Sequence, residues 1–439
     1  MSCVRGNGAA YYSPGVRCGR GAPLRTAHAN SAMEQSVGSG VPYLELTYER
    51  RTMISISTAP SVKMGFAAAF LALTVLTGCG AEAEDIAQTQ SAITGGWVNL
   101  DLINGWTNAN GTSNPPAIGI VNGVVTFRGA IKATNPTSNV AFSLGASKYS
   151  GFRTNVLNAV YVAAAMSGNT AGTLFYNPFL GGNHAVAVME NGVASNQVGT
   201  NAKAFTSLDG AAFDRVVGSP INYDTEVWTS QYGFRQSINC SGCGVYGKQV
   251  DGFARFQGLL TKLDANDTSG YLFTLTDPQL IPGNNVTVPL HLGQQGSNMS
   301  FGALTFYPSG DVYVNGQPFG ANSGTSFEGV WFSKTLAGNV ALPLNTAGGW
   351  HAHSSRSVKV GKYGDVVRFQ GAISGGSSTT IATLPAGYAP TKQVKLRGVA
   401  SGPVPVTIVV NTNSTITFEG VPTTVASSFL SLDGVSYGL

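Results

Sequence analysis

Histidines and carboxylates are the residues with which this chain of 439 residues could do chemistry, since catalysis needs groups that move protons or attack a substrate. Residues 79–439 contain four histidines, which are His184, His291, His351 and His353. No P-loop and no His-Glu-x-x-His motif accompanies them. The sequence therefore predicts no catalytic residue and no cofactor, and we expect a protein that is not an enzyme.

Three acids recur at equivalent places, at Asp209, Glu328 and Asp433, and each precedes a glycine. Glycoside hydrolysis needs two carboxylates about 5–10 Å apart. An acid before glycine favours a tight turn, so we interpret the three as structural acids that cap turns. A surface hydrolase acting on polysaccharide is the alternative function, and it needs convergent carboxylates in a cleft between modules.

His351 and His353 would share one face of a strand, an arrangement that suits a divalent metal. Two ligands are insufficient for a metal site, so the sequence predicts no bound metal. Sugar rings could stack on the aromatic rings of Trp106, Trp350, Tyr313 and Tyr388, and core packing is the alternative use of the same rings. The candidate ligand-binding residues are Trp106, Trp350, His351, His353 and Tyr388.

The elements that would position these residues are repeated along the chain. A turn followed by a strand recurs at residues 122–131, 251–260 and 363–373. Apolar and polar residues alternate in each copy, which indicates a strand with one buried face. The apolar face carries Val125, Phe127, Ile131, Ala254, Phe256, Leu260, Val367, Phe369 and Ile373. The other face carries Thr126, Arg128, Arg255, Gln257, Arg368 and Gln370.

A glycine lies on the apolar face of every copy, at Gly129, Gly258 and Gly371. A glycine at such a position leaves room for a bulky group from an opposing sheet. Aromatic residues from the end of each repeat would fill this space, and these are Phe213, Phe332 and Tyr437.

Each copy ends in a closing motif that contains the acid and the glycine described above. The separation between the strand's phenylalanine and the acid falls from 82 to 72 to 64 residues, as expected when insertions accumulate in loops. Between these motifs the sequence predicts a hairpin around Pro308-Ser309-Gly310, a turn at residues 411–414 and a strand at residues 429–437, while the window at residues 155–166 suits a helix or a strand. Many short strands joined by turns in each repeat indicate a β-sandwich or jelly roll. We predict an all-β protein with three tandem β-sandwich or jelly-roll-like modules, at residues 97–220, 221–338 and 339–439.

The composition suits short strands and tight turns, since 10% of the residues are charged and 57 are glycine. The net charge of +4 comes from residues 1–78, which hold seven Lys or Arg against three Glu, while the remainder has eighteen of each sign. The body has no basic excess, so we expect no nucleic-acid partner.

An apolar run at residues 65–76 is too short to span a bilayer and has the length of a signal-peptide core. It ends in Leu76-Thr77-Gly78-Cys79, which resembles a bacterial lipobox. That resemblance implies a lipid on Cys79, and Gly80 after it favours the outer membrane over the inner one in Gram-negative sorting. We therefore predict a disordered or wrongly assigned leader, a signal peptide and a flexible tether, at residues 1–63, 64–79 and 80–96.

Cys240 and Cys243 form a C-x-x-C pair. No βαβ pattern surrounds the pair, and no second pair completes a zinc site. The oxidising compartment that the leader implies favours a disulfide between them in a turn.

Motifs of the third repeat resemble the C-terminal domains of phage tail-fibre and related receptor-binding proteins. The motifs lie at residues 364–371, 381–390 and 431–437. The resemblance covers residues 339–439, and it reaches the first two repeats only through their shared strand and closing motif. It implies small β-sandwich heads, commonly trimeric, that contact surface glycans. The resemblance supports the fold more strongly than the function, because the shared motifs are mostly structural.

We expect a surface-anchored, outer-membrane lipoprotein that acts as a binding or adhesion protein for a glycan, a matrix or a protein partner. A purely structural envelope protein is a further alternative. Three modules in one chain have an effective concentration of about a millimolar or more, so packing within the chain should outcompete packing between chains. We expect a monomer whose modules form a pseudo-threefold cluster.

Overall fold

The computed structural model confirms an all-β protein with sandwich-like antiparallel sheets. It describes residues 96–111, 115–153, 160–177, 184–194, 197–215, 218–221, 228–230, 244–263, 269–294, 300–316, 323–334, 339–354 and 356–439. The strands fall into three successive segments of the chain, whose first strands are Val98–Asn99, Ser219–Ile221 and Val340–Ala341.

The first segment contains eleven strands among its described residues. They are β1 (Val98–Asn99), β2 (Trp106–Asn108), β3 (Ala117–Val121), β4 (Val124–Arg128), β5 (Ala130–Ala133), β6 (Val140–Ser143), β7 (Val160–Ala165), β8 (Ala171–Asn177), β9 (Ala185–Glu190), β10 (Thr206–Ser207) and β11 (Ala212–Asp214). The short helices are α1 (Thr200–Ala204) and two 3-10 turns, Ser147–Phe152 and Ser167–Asn169.

The second segment has ten strands in the part that is described. They are β12 (Ser219–Ile221), β13 (Trp228–Ser230), β14 (Val245–Val250), β15 (Phe253–Lys262), β16 (Tyr271–Thr274), β17 (Val286–Gln294), β18 (Ser300–Phe306), β19 (Asp311–Gly316), β20 (Ser323–Ser326) and β21 (Val330–Ser333).

The third segment has eleven strands over its described ranges. They are β22 (Val340–Ala341), β23 (His351–Ala352), β24 (Lys359–Tyr363), β25 (Val366–Gln370), β26 (Ala372–Ser374), β27 (Thr380–Thr383), β28 (Val394–Ala400), β29 (Val404–Val410), β30 (Thr415–Glu419), β31 (Leu430–Ser431) and β32 (Ser436–Gly438). Its helices are α2 (Thr423–Ser428) and the 3-10 turn Thr346–Gly348.

The same order of strand pairing occurs in all three segments. One sheet has the order β1-β3-β4-β11 in the first segment and β22-β24-β25-β32 in the third, and β12-β14-β15-β21 pair in the same way in the second. The other sheet has the order β23-β26-β31-β28-β29-β30-β27 in the third segment. The second segment repeats that order, and the first divides it into β2-β5-β10 and β7-β8-β9-β6, joined by a bridge between Met166 and Thr206.

The repeated strand passes from one sheet of each sandwich to the other at its glycine. Gly129 separates β4 from β5, Gly371 separates β25 from β26, and β15 changes partners from β21 to β20 around Gly258. Their φ angles of +89°, +101° and +106° lie in the left-handed region, which side chains rarely adopt. A Cβ atom at Gly258 would lie 1.8 Å from the Gly244 carbonyl oxygen.

This geometry corrects the reason that the sequence suggested for the three glycines. The space that a side chain would need is occupied by the backbone that precedes β3, β14 and β24, and no aromatic ring is the nearest neighbour. Glycine is required because the chain must turn sharply there and because another backbone runs close beside it.

The apolar faces of the repeated strands lie in three separate buried clusters, as the alternation predicts. Val125, Phe127 and Ile131 lie in the first cluster. Ala254, Phe256 and Leu260 lie in the second, and Val367, Phe369 and Ile373 lie in the third.

Several local predictions are confirmed, and one strand is divided. Residues 308–310 form the turn of the β18–β19 hairpin, in which Gly310 N–H donates to the Tyr307 carbonyl at 2.9 Å. The window at 155–166, which suited a helix or a strand, contains β7. Residues 429–437 were expected to be one strand, but the closing turn separates β31 from β32.

Contacts between the segments follow a cyclic pattern. Ser326 Oγ of the second segment donates to the Tyr161 carbonyl of the first at 3.0 Å, and Ser431 Oγ of the third donates to the Thr287 carbonyl of the second. Arg128 of the first segment donates to the carbonyl of Leu439 in the third at 2.9 Å. The strands β7, β17 and β28, which are equivalent in the pairing order, contact each other pairwise.

Candidate functional site

A cleft with a volume of about 550 Å³ lies between the second and third segments. Its volume is within the range of pockets that hold small ligands, about 300–1,000 Å³. Side chains from β17, β18 and β19 form one wall, and the chain around β23, the β28–β29 turn and the start of β31 form the other.

The first wall is the outward face of a sheet, and strand alternation explains why it is polar. Leu304 and Phe306 of β18 point into the second buried cluster, so Thr305 between them points outward. Thr305 lies opposite Thr287 of β17 and opposite Tyr313 of β19 in the strand register.

Hydrogen bonds order this polar face. The amide nitrogen of Asn315 donates to Thr305 Oγ1 at 3.0 Å, and the hydroxyls of Thr305 and Thr287 are 3.2 Å apart. Asn315 is exposed, so its side-chain oxygen is accessible to a ligand in the cleft.

Tyrosine rings continue the face away from the cleft. The ring of Tyr307, which lines the cleft, packs edge-on against Tyr313 with centroids 5.6 Å apart. Tyr271 packs against the other side of the group, with its centroid 5.6 Å from that of Tyr313. The three rings form a ridge of apolar faces with polar hydroxyls at their tips, which suits stacking on sugar rings.

The second wall presents His353, whose imidazole packs edge-on against Phe429 with centroids 5.1 Å apart. The His353 side chain is exposed and lines the cleft, and Ser354 beside it has a φ of +67°. The imidazole therefore offers hydrogen-bonding nitrogens to the cleft that Asn315 also lines.

Charges at the base of the cleft are paired with each other. Arg356 Nη1 donates to Asp433 Oδ2 at 2.5 Å, and Gly371 N–H donates to Asp433 Oδ1 at 3.0 Å. Burial raises the pKa of the Asp433 carboxyl, while the Arg356 guanidinium and the Gly371 N–H oppose that rise. Asp433 is the only carboxylate among the described lining residues, so the cleft is close to neutral.

All three repeated acids bind backbone, although not the backbone of their own turn. Gly129 N–H donates to Asp209 Oδ1 at 3.0 Å, and Gly258 N–H donates to Glu328 Oε1 at 3.1 Å. Each acid thereby satisfies the N–H group that the repeated strand frees when it changes sheets. Asp209 and Glu328 line a cavity of about 30 Å³, which is far smaller than a sugar ring needs.

Burial shifts the titration of these acids. Desolvation raises the pKa of Asp209 from 3.8 to about 7 and that of Glu328 from 4.5 to about 8, against the opposing effect of the glycine N–H bonds. Both carboxyls therefore tend to hold a proton near neutral pH, a state that suits a buried group.

The structure separates the residues that the sequence nominated for ligand binding. Trp106 and Trp350 are 3% and 0% exposed, and their indole N–H groups donate to the carbonyls of Ser138 and Ser378. Neither indole has a free face on which a ligand could stack, and core packing, the alternative use of these rings, is what the structure shows.

The other nominated residues lie at three different places. His353 lines the cleft. His351 is exposed, and its ring nitrogens lie 3.2 Å from the Gly349 carbonyl and 3.4 Å from Ser374 Oγ. Tyr388 packs partly buried against the third cluster. Cys79, Cys240 and Cys243 lie outside the described residues.

Sequence reasoning missed Tyr307, Thr305 and Asn315, although a signal for them exists. The β18–β19 hairpin is predicted by its turn residues, and its outward positions carry polar and aromatic residues between buried apolar ones.

A separate pattern, Gly434-Val435-Ser436-Tyr437-Gly438, has the spacing of a hydrolase nucleophile elbow. Here Ser436 is buried within β32 and pairs with Arg368 across the sheet, so it is no exposed elbow serine.

A metal-binding cluster and a membrane-spanning helix are both absent from the described residues. These residues include no group of three or more His, Cys, Asp or Glu side chains arranged to hold a metal ion. Of the helices described, none is long and apolar enough to cross a membrane.

The fold and the cleft define an all-β, sandwich-like protein with a nearly neutral cleft lined by polar and aromatic side chains. Comparisons with protein-family models, with curated proteins and with solved structures found no match to this chain.

Proposed function

We propose that this chain is a surface-anchored binding protein that recognises a saccharide in the cleft between the second and third segments. The observation that carries the proposal is the composition of the first wall, where an exposed amide, ordered hydroxyls and a ridge of tyrosine rings adjoin. Saccharides present hydroxyls that both donate and accept hydrogen bonds and apolar ring faces that stack on aromatic residues, so this wall is complementary to them.

The charge of the cleft favours an uncharged saccharide. Arg356 and Asp433 neutralise each other, so neither is free to pair with an acidic or a basic ligand without breaking a buried ion pair. Breaking such a pair leaves one buried charge uncompensated, which is costly. A neutral ligand needs only the polar side chains at the rim.

The anchoring part of the proposal comes from the leader. The residues Leu76-Thr77-Gly78-Cys79 support lipidation at Cys79, and a polar tether would follow at residues 80–96. A lipid-anchored body at the outer membrane would present the cleft to extracellular glycans. The resemblance of the third repeat to tail-fibre heads agrees with this role.

The proposed assembly is a monomer with its three segments in a pseudo-threefold cluster. The cyclic contacts described above support it, because each segment packs its closing turn on the equivalent strand of another. Small-angle scattering on residues 97–439 tests it. A compact body of that length should have a radius of gyration of about 20 Å. A clearly larger radius or a mass of three chains would contradict it.

A glycan array with soluble residues 97–439 tests the function. We expect binding to one class of neutral glycans, and binding to none would contradict the proposal. The site is then tested with Asn315→Ala and Tyr307→Ala, each of which should weaken binding about tenfold through the loss of a hydrogen bond or a stacking face.

Gln393→Ala provides the matched control, because Gln393 is an exposed amide that bonds to Asn411 away from the cleft. It should leave glycan binding unchanged. If the cleft variants bind as tightly as the parent, the saccharide binds elsewhere on the protein.

A further inference from the structure

Two arginines are buried where the polar faces of the repeated strands meet. Arg255 of β15 and Arg368 of β25 occupy equivalent positions and are 3% and 5% exposed. Both line a cavity of about 20 Å³, together with Thr126 of β4, which is the equivalent residue of the first segment. The cavity is thus surrounded by the same strand position from all three segments.

Aromatic rings cover the faces of the Arg368 guanidinium. Its Cζ atom lies 4.4 Å from the ring centre of Phe253, 5.3 Å from that of Trp331 and 5.5 Å from that of Tyr363. Such contacts stabilise the charge through the flat faces of the guanidinium and leave the N–H groups at its edge without an acceptor.

Some of these edge groups are unsatisfied. Within the described ranges, Arg368 Nη1 and Arg255 Nη2 are buried and have no hydrogen-bond partner. Buried donors on charged groups are expensive to leave unpaired, and they are normally found with an acceptor.

The charges around the cavity do not balance either. Asp214, the one carboxylate among the described lining residues, lies 2.9 Å from Lys248 Nζ and 3.6 Å from Arg255 Nη1. Asp251, on the exposed turn before β15, adds attraction to both arginines. Glu328 also interacts with Asp214 and Lys248, and because burial raises its pKa to about 8 it tends to hold a proton. Three cations therefore face two ionised carboxylates, and one positive charge is in excess.

We propose that this cavity binds one monovalent anion of the size of chloride, held between Arg255 and Arg368. The volume admits a particle about as large as one water molecule, so a monatomic halide fits, whereas sulfate and phosphate are too large. An anion supplies the missing acceptor and cancels the excess charge, which a water molecule cannot do. The buried hydroxyl-bearing residue Ser436 also lines the site.

The anion would act as a link between segments. Arg255 belongs to the second segment and Arg368 to the third, and burial together with the neighbouring Arg255 lowers the pKa of Arg368 to about 9. A bound anion offsets this repulsion, so it should stabilise the contact of the two segments and favour the folded chain by mass action.

Thermal unfolding of the full chain in chloride, in bromide and in gluconate at equal ionic strength tests the proposal. Halides should raise the melting temperature by about 2–5 °C. The rise should level off at high halide concentration, because an occupied site stabilises the folded chain and no further stabilisation follows once the site is filled. Equal melting temperatures in halide and gluconate would mean that the cavity holds water only, and the proposal would fail.

Arg368→Met tests the location, since methionine preserves the length of the side chain inside the aromatic group and removes the N–H donors. The variant should lose the halide response. Thr126→Ala is a milder second variant in case that protein does not fold, because Thr126 lines this cavity and not the one beside Asp209, and its halide response should be reduced.

Arg397→Met is the matched control. Arg397 is also a buried arginine with unpartnered nitrogens among the described residues, but it lines the separate cavity beside Asp209. It should retain the halide response. Loss of the response in Arg397→Met and its persistence in Arg368→Met would place the anion in the other cavity and overturn the assignment.

Crystals grown in bromide complete the test by anomalous scattering. A peak within hydrogen-bonding distance of both Arg255 and Arg368 is expected. A cavity without a peak, in crystals of a protein that is stabilised by halides, would refute this site.

Discussion

The substitution Asp209→Asn removes a charge from the closing motif while it preserves the shape of the side chain. Asp209 is buried, its Oδ1 accepts a hydrogen bond from the Gly129 N–H, and its own backbone N–H donates to Ser207 Oγ at 3.3 Å. An asparagine oxygen can accept the same bond from Gly129, so the variant keeps the contact and differs only in titration.

The size of the effect follows from the shift in pKa. Burial raises the pKa of Asp209 from 3.8 to about 7. Below pH 4 the carboxyl is protonated in both the folded and the unfolded chain. Between about pH 4 and 7 the unfolded chain ionises first, so stability falls as pH rises, and the loss is complete above the folded pKa. A rise of this size corresponds to about 4 kcal/mol.

Urea denaturation of parent and variant from pH 4 to pH 8 measures the contribution of Asp209 ionisation as the difference between their free energies of unfolding. The two proteins should have similar unfolding free energies at pH 4, and the variant should become more stable than the parent by up to about 4 kcal/mol at pH 8. Asp365→Asn, which removes an exposed carboxylate next to β25, controls for the loss of one negative charge.

Two results would refute the reasoning. A difference that does not change with pH would mean that Asp209 titrates alike in both states. A variant that becomes less stable than the parent as pH rises would mean that the carboxylate is ionised and stabilised by its N–H donors, and that desolvation is the smaller effect.

Three further predictions concern the repeat, the leader and the cysteines. Gly371→Val should lower the free energy of unfolding by about 2–4 kcal/mol in a thermal melting experiment, because valine disfavours a positive φ and its Cβ would lie 3.0 Å from the Ser357 carbonyl oxygen. Gly387→Val is the control, since Gly387 also has a positive φ but lies in open space, and it should lower the same free energy by only about 1–2 kcal/mol. Cys79→Ala should abolish lipid labelling and membrane retention, and unchanged retention would contradict the anchor. Cys240 and Cys243 should form a disulfide that contributes towards the low end of about 2–4 kcal/mol, and two free thiols in alkylation mass spectrometry without reductant would disprove it.

Local periodicity was sufficient to predict the class of the fold and the buried face of the repeated strand. Phe127, Phe256 and Phe369 are buried at equivalent places because side chains on a strand alternate strictly between two faces. The turns at residues 308–310 and 411–414 could be predicted equally well, because turn residues favour a turn through their own backbone conformation and local hydrogen bonds and need no distant partner.

The reason for each repeated glycine was not readable in the same way. The alternation indicates on which face Gly371 lies, but the obstacle to a side chain is the backbone around Ser357, which reaches that place only through strand pairing. Similarly, Trp350 beside a polar loop could equally have been a surface ring, and only the packing of the third cluster makes it a core residue.

The cleft and the arginine pair are properties of the tertiary structure. Thr305 and His353 belong to segments that the chain order separates, and Arg368 would read as a solvated charge on the polar face of a strand. That face is buried because the segments pack against each other through it. The alternation of a strand is a local pattern of neighbouring residues, so the sequence alone shows it. Whether a polar face is buried depends on which distant surface of the chain covers it, so only the tertiary structure decides it.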